Sequence, residues 1–187
     1  MAIETNRPLT YDDYAALPDD GKRYELIAGR LHELTAPTLT HQDLVGGLFA
    51  RLWSFLEGHA AGKVLVAPFD VLLDRYNVLQ PDILFVAADN PVLGEKFVQG
   101  APDLVVEVLS PATSRRDLGR KRELYEEHGV KEYWVVHADQ VLVRIFARMP
   151  SGKFARPRPY GVRGTVRSPL LPGFELRVAD LYRLREA

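Results

Sequence analysis

The sequence predicts an α/β fold with a mixed β-sheet flanked by helices. Three observations carry this expectation. Leu104-Val105-Val106-Glu107-Val108-Leu109 is apolar on both faces, as in the central strand of a covered sheet. Arg115 to His128 has helical spacing of its inward residues. Glu132 to Val136 and Val141 to Phe146 then resume strand character, so strands, a helix and more strands follow one another.

From the N-terminus, Tyr11 to Leu17 reads as a short helix with Thr10 as N-cap and Pro18 as its stop. Arg23 to Ile27 and Arg30 to Leu34 form a hairpin turning at Ala28-Gly29. A longer helix is expected from about His41 to His59, capped by Thr40 with Asp43 and carrying Leu44, Gly47, Leu48, Leu52, Phe55 and Leu56 as its core stripe. Lys63 to Leu73 reads as a strand or bent strand pair with Pro68 at an edge or bulge. Gln80 to Val86 is a strand, and Asp89 to Pro102 a loop. Ser114 and Asp117 have capping-box spacing at the head of the Arg115–His128 helix, and Gly129 suits its C-cap. Past Pro150 the chain is rich in Pro, Gly and Arg, with short strand-like pieces and a last helical turn near Val178 to Leu184.

The chain has 187 residues, 47% hydrophobic and 26% charged, which suits one soluble domain spanning 1–187. Its core is expected at about 10–148, with a basic extension over 149–187. The net charge of −1 hides an asymmetry: residues 144–187 carry 10 basic and 3 acidic side chains, against 8 and 14 over residues 1–100. That end of the chain either meets phosphates or forms a solvated face balancing the acidic half. There are no cysteines, which excludes disulfides and thiolate metal sites. No signal-peptide layout and no apolar run of about 20 residues is present, so a cytoplasmic protein with no membrane partner is expected.

Glu107 is the residue that asks for an explanation. A lone ionised carboxylate in a buried strand costs several kcal/mol unless it is paired, protonated or bound to a metal. Asp82, opening the apolar run Ile83-Leu84-Phe85-Val86, is a second acid in what reads as a neighbouring strand; a turn-forming Asp is the plainer explanation. Lys121 lies on the helical stripe Leu118, Lys121, Tyr125, His128, which should face the sheet. Glu107 is ~10 Å from its strand end at about 3.3 Å per residue. Lys121 is ~10 Å into the returning helix at about 1.5 Å per residue. The two side chains should be level, with a simple ion pair as the alternative. Glu25 is a further acid in an apolar setting, for which a cross-strand partner such as Arg30 is the structural explanation.

Two inward carboxylates and a lysine suit a hard divalent cation, Mg²⁺ or Mn²⁺, held by Asp82 and Glu107, with Lys121 orienting water or offsetting phosphate charge. That chemistry is phosphodiester hydrolysis. Arg115, Arg116 and Arg120 are expected to hold a phosphate backbone. His32, His41, His59, His128 and His137 show no zinc spacing. There is no Walker A, GxGxxG or GxSxG motif. A glycosidase pair at Asp82 and Glu107 would leave Lys121 without a role.

Arg23-Tyr24-Glu25-Leu26-Ile27-Ala28-Gly29, Gln80-Pro81-Asp82-Ile83, Pro102 to Pro111, Arg116 to Lys121 with Tyr125, and Gly129 to Trp134 together resemble the Uma-two family of restriction-endonuclease-like proteins. The resemblance covers roughly residues 10–185. It implies a restriction-endonuclease-like fold of the PD-(D/E)xK superfamily, with Asp82 and Glu107 as the two acids, Val108 offering its backbone carbonyl to the metal, and Glu25 as an accessory acid. His41 matches a position where the family often carries a His and could contact the site or a phosphate, although a His at a helix N-terminus more often serves surface or capping chemistry. The chain departs from the superfamily pattern at Leu109, where a Lys is expected; the resemblance implies that Lys121 takes over that role from the helix. It further implies DNA as partner and a homodimer, since cutting a duplex needs two sites. The alternative is a catalytically silent nucleic-acid- or protein-binding module of the same fold, with Glu107 and Lys121 as a structural ion pair.

Overall fold

The computed structural model describes residues 7–59, 61–111 and 113–182. Two main sheets organise them. The larger has six strands in the order β11-β10-β9-β8-β6-β3 and the other five in the order β2-β1-β5-β4-β7. In chain order the strands are β1 (Arg23–Ile27), β2 (Arg30–Leu34), β3 (Gly62–Val66), β4 (Asp70–Asp74), β5 (Asn77–Leu79), β6 (Ile83–Ala87), β7 (Phe97–Gln99), β8 (Leu104–Leu109), β9 (Glu132–His137), β10 (Leu142–Ala147), β11 (Arg158–Gly161), β12 (Thr165–Arg167) and β13 (Glu175–Arg177). The helices are α1 (Tyr11–Ala15), α2 (Leu39–Glu57), α3 (Ser114–Arg116), α4 (Arg122–His128) and α5 (Val178–Tyr182). A π-helical stretch, Asp117–Lys121, joins α3 to α4 with a kink at Gly119.

β8 pairs antiparallel with β6 and parallel with β9, which makes the larger sheet mixed. All six residues of β8 are buried, as are all six of β9. The alternation expected for β8 separates two hydrophobic clusters. Val106 and Val108 pack with Leu44, Leu48 and Leu52 of α2 on one face. Val105 and Leu109 pack with Leu124 and Tyr125 of α4, and with Val71, Leu79 and Val98 of the five-stranded sheet, on the other. Glu107 therefore points into the layer between the two sheets.

The expected hairpin forms with its turn at Ala28 and Gly29, whose φ angles of 51° and 71° suit a two-residue connection with both central residues at positive φ. Other expectations shift. The cap of α2 is Thr38, whose side chain accepts from His41 N–H, so the helix starts earlier than Thr40 implies. Lys63 to Leu73 is divided at Pro68 between the two sheets, β3 going to one and β4 to the other. β5 and β7, three residues each, were not anticipated; β7 lies within the expected Asp89–Pro102 loop. Past Pro150, Tyr160, Val166, Phe174 and Leu181 join the cluster beneath α2. Buried Glu132 ties this segment down, accepting from Trp134 Nε1 at 2.8 Å, Ser168 Oγ at 3.0 Å and Leu170 N–H at 2.8 Å. Of the last helical turn, Arg183 and Leu184 lie outside the described residues.

Candidate active site

The site forms where a strand ladder stops. The β6–β8 ladder begins at Ile83 opposite Val106, so Asp82 falls level with Glu107 just beyond it. There the Val108 N–H is satisfied by a side chain: it donates to Asp82 Oδ2 at 2.7 Å. His41, in the first turn of α2, brings Nε2 within 3.3 Å of the same oxygen.

On the inner face, Glu107 is 4% exposed and Lys121 3% exposed. Lys121 Nζ lies 2.6 Å from Glu107 Oε1, and Tyr125 Oη donates to that oxygen at 2.7 Å. Lys121 also donates to Glu25 Oε1 at 2.8 Å and stands 3.6 Å from Asp117 Oδ1. Gln80 N–H donates to Glu25 Oε1 at 2.9 Å, and Arg116 Nη1 stands 4.0 Å from Glu25 Oε2. Strand β1 of one sheet, strand β8 of the other and the α3–α4 segment thus converge on a single ammonium group.

Negative charge exceeds positive here. Burial pushes the Glu107 carboxyl well above its ordinary value; Lys121 opposes this, while Asp117, Asp82 and Glu25 reinforce it. Burial likewise raises Asp117 against the pull of Lys121. For Lys121, burial favours the neutral amine, but Glu107, Glu25 and Asp117 outweigh it and hold the group protonated. Burial would lower His41 too, yet the Asp82 carboxylate and the Val108 backbone raise it above the usual imidazole value.

A cleft of about 290 Å³ opens onto these groups, lined among others by Arg23, Glu25, His41, Asp82, Glu107, Val108, Asp117 and Lys121. Its chemistry fits a divalent cation. Asp82 accepts through Oδ2 and Glu107 through Oε1, while no hydrogen bond from the described residues reaches Asp82 Oδ1 or Glu107 Oε2. Neither oxygen is among the sealed side-chain atoms without a partner, so both meet the cleft. Among the described residues no group of three or more His, Cys, Asp or Glu forms a ready cage. Two hard oxygens beside surplus negative charge match a cation that keeps several of its waters.

Asp82, Glu107, Lys121, Glu25, His41 and Val108 are thus brought together around one cleft. Arg115, Arg116 and Arg120 are not among its lining residues: Arg115 is exposed, and Arg120 is drawn to Glu123 and Glu127 at 3.3 and 3.4 Å. The Arg30 explanation of Glu25 is corrected, because Glu25 faces His32 across the hairpin while Arg30 faces Ile27. Asp117 does not cap the helix; it is buried beside Lys121. Sequence reasoning gave no role at the site to Tyr125, Asp117 or Arg23. For the first two the available signal was their spacing of four residues on either side of Lys121. In the basic C-terminal segment, Arg167 and Arg177 pair with Glu175 and Asp180, each at 2.7 Å, and Arg158 lies over the Tyr160 ring. No helix among the described residues is long and apolar enough to cross a membrane.

Among solved structures, the fold is similar to that of a putative nuclease belonging to DUF820 from Anabaena variabilis ATCC 29413. The TM-score is 0.78 at 19% identity, covering 94% of this chain and 98% of that one. A comparison with curated proteins finds no match. The mixed sheet flanked by helices is thus a restriction-endonuclease-like fold shared with a nuclease-described neighbour. The model of the Uma2 family, described as "Putative restriction endonuclease", matches residues 11–179, and the chain belongs to that family.

Proposed function

We propose that this chain is a Mg²⁺- or Mn²⁺-dependent endonuclease that hydrolyses phosphodiester bonds in DNA. The observation that carries this reading is the division of labour between carboxylate oxygens. Asp82 Oδ2 and Glu107 Oε1 are held by internal donors, leaving Asp82 Oδ1 and Glu107 Oε2 toward the cleft. These two oxygens, with the Val108 carbonyl in reserve, would hold the cation. When bound, it supplies an activated water and charge stabilisation at the scissile phosphate.

The remaining work belongs to the chain. Lys121, kept protonated by three carboxylates, presents a fixed positive charge beside Glu107 and stabilises charge developing on the phosphate. Glu25 holds Lys121 in place through a 2.8 Å hydrogen bond and so acts as the accessory acid. His41 steers Asp82 from the α2 terminus. Cutting both strands of a duplex calls for two such sites, which favours a homodimer acting on cytoplasmic DNA.

Nicking of supercoiled plasmid with Mg²⁺ or Mn²⁺, compared with EDTA, tests the reading. Wild type should nick only with metal, and Asp82→Ala and Lys121→Ala should not. A wild type inert with both metals would overturn it. A second reading, a catalytically silent binding module, draws on the closeness of Lys121 to Glu107 and Glu25. The cleft and the two unused oxygens favour the nuclease.

A further inference from the structure

We infer, resting on the nuclease reading above, that Arg23 is the residue that grips the substrate phosphodiester in the cleft. Arg23 precedes Glu25 by two positions on β1, so both side chains leave the same face of the strand. It lines the cleft and is half-buried. Its backbone is fixed opposite Leu34 in the β1–β2 ladder, which gives the side chain a rigid base.

The decisive feature is what Arg23 does not touch. Among the described residues its guanidinium makes no ion pair and no hydrogen bond, although the cleft holds Glu25, Asp82, Glu107 and Asp117. The nearest acid along the strand is already engaged: Glu25 Oε1 takes Lys121 and the Gln80 N–H, and Oε2 faces Arg116. Lys121 is committed to Glu107 and Glu25 and Arg120 to Glu123 and Glu127, while Arg116 is held beside Glu25 Oε2 at 4.0 Å and does not line the cleft. A free arginine at an acidic cleft keeps a planar fork of donors available, and that fork matches two oxygens of a phosphate. It also offsets the repulsion that a phosphodiester would meet from the carboxylates. Arg23 lines the cleft itself, whereas Arg115, Arg116 and Arg120 are not among its lining residues.

The test compares wild type, Arg23→Ala and Arg23→Lys. Steady-state nicking is read alongside the salt dependence of binding to a short labelled duplex in EDTA, and Mn²⁺ affinity is read by calorimetry. We expect Arg23→Ala to raise KM about tenfold with a smaller change in kcat. Its salt slope should fall by about 1, as for the loss of one phosphate contact, while Mn²⁺ affinity stays at the wild-type value. Arg23→Lys should recover the salt slope but only part of the KM, because it keeps the charge and loses the fork. Unchanged KM and slope in Arg23→Ala, with wild type active, would overturn this inference and leave the nuclease reading standing. Loss of Mn²⁺ affinity in Arg23→Ala would overturn it in favour of a structural role. A wild type that neither binds nor nicks DNA would overturn both.

Discussion

Tyr125 Oη and Lys121 Nζ meet the same oxygen of Glu107, Oε1, at 2.7 and 2.6 Å. Residues four apart on one helical face thereby hold a carboxylate that stands on the neighbouring strand. Their joint grip leaves Oε2 as the oxygen available to the cleft. Tyr125 is itself fixed by packing on Tyr133, ring centroid to centroid 5.1 Å.

Tyr125→Phe removes one of those donors without changing the packing shape. The variant should lose about 1–2 kcal/mol of stability. Its Mn²⁺ affinity should fall by about 10-fold, as when a group supporting a metal ligand is removed. Chemical denaturation and calorimetry check the two effects, and wild-type affinity would remove Tyr125 from this role.

Lys121→Met leaves Glu25, Glu107 and Asp117 buried without their shared cation. Breaking a buried pair on one side costs about 3–5 kcal/mol, so unfolding should shift to markedly lower denaturant. At a temperature where the variant is still folded, metal should still bind, while nicking falls by about 10²–10³. Nicking at the wild-type rate would exclude Lys121 from the mechanism.

Much of this site was legible because strand and helix periods place residues on faces. Alternation along β8 put Glu107 between the sheets, and the level of Lys121 followed from two rises per residue. What escaped was non-local. β5 and β7 are three residues each, too short for a period to show, and they exist because β4 pairs with both. Glu25 reaches Lys121 across 96 positions of sequence, so no hairpin rule could have found that partner. Arginines at 115, 116 and 120 drew attention by clustering; in the structure Arg120 pairs with Glu123 and Glu127, Arg115 is exposed, and Arg116 stands 4.0 Å from buried Glu25. Arg23 was hidden because its freedom from partners among the described residues is a property of the folded chain and leaves no mark in the sequence.

Asp117→Asn addresses the surplus charge. The Asp117 carboxyl is raised in the folded protein, first by burial, so folding binds its proton more tightly than the unfolded chain does. Its contribution is therefore full below the unfolded value of about 3.9 and is lost as pH rises through the folded value. Asn does not ionise. The variant should match wild type at acid pH and become the more stable of the two as pH rises toward neutrality. Urea midpoints across that range, without metal, check the sign; a gap that closes or reverses with rising pH would contradict it.

Calorimetric titration of Mn²⁺ and Mg²⁺ into wild type, Asp82→Ala and Glu107→Ala tests the central claim most directly. The account expects one site in wild type and its loss in both variants, with circular dichroism reporting an intact fold. Full affinity retained in either variant would contradict the assignment of Asp82 and Glu107 as the pair that holds the cation.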